Sequence, residues 1–75
     1  MQHRTYKLLL HKEPEGGFTV VVPALPGCIT WGEDIEQCML MAREAIEGYI
    51  ATLKDIGEVI PDDSETMEIS IVLAA

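Results

Sequence analysis

Two prolines set the strongest limit on this chain. Residues 22–28 read Val-Pro-Ala-Leu-Pro-Gly-Cys. Proline has no backbone N–H to give a sheet ladder, so a strand entering at Val22 must stop at Pro23. Pro26-Gly27 then suits a tight reversal into a new strand. Upstream, Gly16-Gly17 opens a short apolar strand, Phe18 to Val22. Downstream, Cys28 to Trp31 reads as another strand, and Gly32-Glu33-Asp34 starts a helix. Strand, rigid turn, strand and helix must all fit between Gly16 and Ile46.

The flanking segments extend this plan. Residues 3–12, HRTYKLLLHK, read as strand one, with Tyr6, Leu8 and Leu10 on one face and His3, Thr5, Lys7, Leu9 and His11 on the other. Glu13-Pro14-Glu15-Gly16-Gly17 is a turn, and strand two returns antiparallel with Phe18, Val20 and Val22 toward the core. Asp34 is placed to cap the helix, with Gln37 three residues on to complete a capping box. The helix runs to about Lys54. Ile35, Cys38, Met39, Ala42, Ala45, Ile46, Tyr49, Ile50 and Leu53 share a face at 3.6-residue spacing. Gly57 suits the C′ position, and Pro61 forbids continuation. Residues 55–66 form a long acidic connection. Residues 67–73 alternate Met67, Ile69, Ile71 and Leu73 against Glu68 and Ser70, which predicts strand four. A right-handed helical crossover brings strand four back parallel to strand three, beside either strand three or strand one.

At 75 residues the chain is one small domain. A chain of this size buries only about 60–65% of its unfolded surface, so its core needs support. Cys28 and Cys38 show neither CxxC nor metal-ligand spacing and have apolar neighbours, which predicts buried thiols. Oligomerisation, as a dimer or a dimer of dimers, is the remaining support. Thirteen acidic against five basic residues give a net charge of −8. That field opposes direct DNA or RNA binding and favours a basic partner. No apolar run is long enough to span a membrane, and no signal-peptide pattern opens the chain, so the expected location is cytoplasmic.

The central stretch resembles the HicB family, the antitoxin half of HicA–HicB toxin–antitoxin pairs. The matching residues are Gly16, Gly17, Phe18, Val22, Pro23, Leu25, Pro26, Gly27, Cys28, Thr30, Gly32, Glu33, Glu44, Ala45 and Ile46. The resemblance places strand four beside strand one. It implies an α+β fold of β-β-β-α-β order, a mixed four-stranded sheet in spatial order 3-2-1-4 with the helix on one face: a truncated ribonuclease-H-like domain. Relatives commonly add a C-terminal DNA-binding module, which is expected to be absent here.

Catalysis is not expected. A ribonuclease-H centre holds its metal between carboxylates on the central strand, and strand one offers none before Glu13. His3 and His11 are about 26 Å apart along a strand, too far to share a metal. No cofactor is implied. Trp31 reads as a core lid. The resemblance implies instead that the chain neutralises a small basic HicA-like toxin that cleaves mRNA, by covering its RNA-binding face; an adaptor with no toxin is the rival reading. Candidate partner-binding residues are Glu33, Asp34, Asp62, Asp63 and Glu65 for an acidic rim. The candidate apolar centre is Leu40 and Met41 on the outer helix, or Leu9, Val21 and Ile29 on the sheet face away from the helix.

Overall fold

Turn chemistry builds the sheet. In the computed structural model, which describes residues 3–74, the Glu13 N–H donates to Gly17 O at 3.0 Å and closes the first hairpin. Gly16 and Gly17 take positive φ there, which glycine adopts without a Cβ penalty. Strand β1 (Leu9–Lys12) pairs antiparallel with β2 (Phe18–Val21), and β2 pairs antiparallel with β3 (Ile29–Gly32). The sheet order is β1-β2-β3. Helix α1 (Ile35–Asp55) follows and packs on β3 and β2. The fold is α+β.

The ends of α1 are fixed by their caps. Asp34 is extended, and its carboxylate accepts the Gln37 N–H at 2.8 Å. The Gln37 side chain accepts from Glu33 N–H, one residue before the position a capping box predicts. At the other end, Glu58 N–H reaches Leu53 O and Gly57 N–H reaches Lys54 O, with Gly57 at φ +72°. This pair of bonds is a Schellman motif, with Gly57 at C′ as expected.

The core has two parts. Val20, Cys38 and Ala42 form one, with Leu8, Leu10 and Phe18 against it. Val22, Leu25 and Cys28 form the other, under Tyr6, Leu8, Ala45, Ile46, Tyr49 and Leu53. Leu25 is completely buried although it lies in the proline turn. Gly32 explains how close the helix comes: a Cβ there would lie 2.7 Å from Cys38 Sγ and from its backbone N. Among the described residues no helix is long and apolar enough to cross a membrane.

Strand one is shorter than the sequence predicts. Only Leu9–Lys12 join the ladder, and residues 3–8 do not. The register that sets Leu9 opposite Val21 would set Lys7 opposite Pro23, which has no N–H to offer. Asp63 supplies the missing partners. Its N–H donates to Thr5 O at 2.7 Å, and its carboxylate accepts Lys7 N–H at 2.8 Å. The Tyr6 hydroxyl donates to Pro61 O at 2.6 Å beside it.

The fourth strand is also absent from the ladder. Residues 67–73 are exposed and outside the three-stranded sheet. A turn closed by Thr66 N–H on Asp63 O redirects the chain just after the Asp63 contact. Two helix residues predicted to be core are open: Ile35 and Met39 are both more than half exposed.

Asp63→Ala is expected to cost about 1–3 kcal/mol, because it strands a part-buried Lys7 N–H that donates to a charged acceptor. Glu65→Ala, two residues on and exposed, should stay within about 0.5 kcal/mol. Urea unfolding of the two variants measures the difference; equal midpoints would contradict the clamp.

Candidate functional site

Side chains alternate across a strand, so the face turned from α1 can be read from the register. Leu9 lies opposite Val21 and Val21 opposite Ile29, which makes one apolar row across all three strands. The next row is His11, Thr19 and Trp31. Leu9 is 47% exposed, Ile29 60% and Trp31 46%. Trp31 is therefore not a core lid. It shares the parity of Ile29, which in the sequence already placed it on the outer face. A Cβ on Gly17 would strike the Trp31 ring, so the indole packs directly on that glycine. The Thr19 hydroxyl donates to Glu13 Oε1 at 3.2 Å and places a carboxylate at the border of this surface.

The helix offers a second exposed surface. Leu40 is more than half exposed, while Met41 is partly buried. Asp34, Glu36, Gln37, Met39, Leu40 and Arg43 line a shallow depression there.

The acidic candidates fall into two groups at opposite ends of the sheet. Glu33 and Asp34 follow β3 and are exposed, but Asp34 is also the helix cap. Asp62, Asp63 and Glu65 lie beside Thr5 and Lys7. These three are not equivalent. Asp63 is buried with its carboxylate bonded to backbone, so it cannot serve as a rim charge; alternation of charge along the loop gave no sign of this. Asp62 accepts from the Ser64 hydroxyl at 2.9 Å and from Ser64 N–H at 3.2 Å. These bonds hold its carboxyl below the usual carboxylate range. The turn thus gains stability above the unfolded carboxylate pKa and loses it as pH falls through the depressed value. Glu65 is exposed.

Among the described residues no three His, Cys, Asp or Glu side chains converge as a metal site. Cys28 and Cys38 are free and buried in different parts of the core. Burial pushes the Cys28 thiol up, away from the reactive thiolate.

Comparison with known proteins points to one family. A family model described as "HicB_like antitoxin of bacterial toxin-antitoxin system" matches residues 6–72. A UPF0150 protein of Thermoplasma acidophilum is 41% identical over 59 residues, covering 79% of this chain and 86% of that protein. A UPF0150 protein of Archaeoglobus fulgidus is 30% identical over 67 residues, covering 89% and 90%. A UPF0150 protein of Synechocystis is 42% identical over 48 residues, covering 64% and 61%.

The sequence has one tryptophan, so its fluorescence reports on the outer face alone. Acrylamide should quench Trp31 readily in dilute solution, as befits a half-exposed indole. Quenching no faster than for a buried indole would mean the face is covered.

Proposed function

The chain belongs to the HicB-like antitoxin family, and on that footing we propose that it binds and neutralises a small, basic, HicA-like toxin that cleaves mRNA. Inhibition is by coverage of the toxin's RNA-binding face, with no turnover and no cofactor. An enzyme that holds RNA must present positive charge to phosphate. A chain of net charge −8 competes for such a face, and charge complementarity mainly speeds encounter and orients docking. The same charge opposes direct DNA binding by this domain.

One observation carries the choice of surface. The Leu9–Val21–Ile29 row and Trp31 form an apolar strip left open on a chain otherwise rich in carboxylates. Tight interfaces need a desolvated apolar centre, often with tryptophan, inside a polar rim. Glu33 and Asp34 at one end, and Asp62 and Glu65 at the other, are suited to that rim. Leu40 and Met41 are the competing centre on the helix.

The test is inhibition of a small basic HicA-like ribonuclease, sought first in the reading frames that neighbour this one and measured as protection of RNA at stoichiometric ratio. Ile29→Asp should cut affinity at least tenfold with the fold intact, because that side chain is mostly exposed. Leu40→Asp should leave affinity unchanged. Asp62→Lys with Glu65→Lys should slow association and flatten its salt dependence. If the parent chain gives no protection, the antitoxin reading fails and the adaptor reading gains; if only Leu40→Asp weakens binding, the surface is the helix.

A further inference from the structure

Two unsatisfied surfaces in this chain match one another. The first is the arm, residues 67–73. Met67, Ile69, Ile71 and Leu73 are each at least 80% exposed, in the alternation of a strand. The arm extends from the body: the radius of gyration is 14.2 Å and the longest dimension 45 Å, against about 11 Å expected for the radius of a compact domain of this length. The second is a trough on the flank of α1. Met39, Arg43, Ile46 and Ile50 recur at intervals of four, three and four residues, which is one helix stripe. His3, Arg4 and Tyr6 wall the trough along its Ile46–Ile50 half, and Leu40 with Met39 forms its other half. Beside it, the outer edge of β1 has no partner among the described residues.

We propose that this trough receives the arm of a second copy of the chain, so that two copies exchange arms and each gains its fourth strand in trans. Length agrees: Met39 to Ile50 spans about 16 Å of helix, the length of about five strand residues, and Met67 to Ile71 is five. Charge does not select the arm: Arg4 and Arg43 line the trough together with Asp34, Glu36 and Glu47, so the match is one of apolar side chains and length. The chain's own arm lines neither half of the trough. Asp63 is clamped to Thr5 and Lys7, and the Asp63–Thr66 turn, braced by Asp62 on Ser64, redirects the backbone immediately afterward. A second copy has the same arm and the same trough, so exchange closes with two-fold symmetry and leaves neither surface open. It also removes the free β1 edge, which is otherwise a template for uncontrolled pairing.

The experiment is sedimentation velocity on the full chain and two variants. The arm variant is Ile69→Asp with Ile71→Asp. The trough variant is Met39→Asp, at an exposed position whose change leaves the core intact. Circular dichroism checks that both stay folded. The parent should sediment as a dimer at micromolar concentration and each variant alone as a monomer. Mixing the two variants should restore dimer, because the trough of the first accepts the intact arm of the second. Amide exchange in residues 67–73 of the parent should slow as concentration rises. A monomeric parent, with those amides protected regardless of concentration, would mean the arm closes on its own chain and would overturn the proposal. A dimer that survives the arm substitutions would overturn it too, by placing the interface on another surface.

Discussion

Leu25 has no exposed surface although it belongs to a turn of only a few residues. The rest of the domain is arranged around that burial. Val22 N–H donates to Cys28 O, Leu25 N–H to Val22 O, and Cys28 N–H to Leu25 O, so the turn satisfies its own backbone while it delivers one large side chain inward. The prolines make this possible: each removes a donor that would otherwise need a partner, and each limits φ. The C-terminal half of α1 then closes over Leu25 through Tyr49 and Leu53, and the Tyr49 hydroxyl donates to Pro26 O at 2.8 Å. A strand pair and a helix are thereby joined at a point where regular structure is absent.

Most of this plan is legible in the sequence because it rests on local rules. Pro23 ends a strand wherever it stands, Asp34 caps a helix through its own carboxylate, and Gly57 supplies positive φ. The match of Val22, Pro23, Leu25, Pro26, Gly27 and Cys28 to a known family adds to that reading without replacing it. What the sequence leaves unread depends on residues far apart in the chain. Nothing near Asp63 marks it as different from Asp62, since its burial follows from Thr5 and Lys7 more than fifty positions earlier. Ile35 and Met39 follow the helical period as faithfully as Cys38 does, yet period alone gives no width to the element covering them. The alternation of residues 67–73 shows a segment able to be a strand, and a strand without a neighbour remains only able. Trp31 is the contrary case: its parity with Ile29 was visible, and the size of the ring suggested the interior instead.

The two faces of the sheet therefore differ in kind. On the helix side, glycine at position 32 and small residues such as Cys38 and Ala42 let the backbones approach closely, and that side supplies stability. On the outer side the large residues Leu9, Ile29 and Trp31 remain open, with no main-chain polar group obliged to follow them inward. Substitution on that side alters what the surface can contact while leaving the packing beneath unchanged. On the function proposed above, recognition and folding would lie on opposite faces of one small sheet.

The contact of Asp63 with Thr5 and Lys7 also sets an order of events. A ribosome releases the first residues long before the sixty-third, and by then the hairpins and the helix have every partner they use. The backbone of the earliest segment thus receives its last hydrogen-bond partners late, although Tyr6 and Leu8 already have core to pack on. In the finished protein this seam is held by a few polar bonds together with the packing of Tyr6 and Leu8, and segments with few buried contacts are the ones expected to open before a core does. Proteases cleave chain that has come loose from its fold. Loosening that seam frees chain on both flanks of the domain while the Leu25 core is still closed.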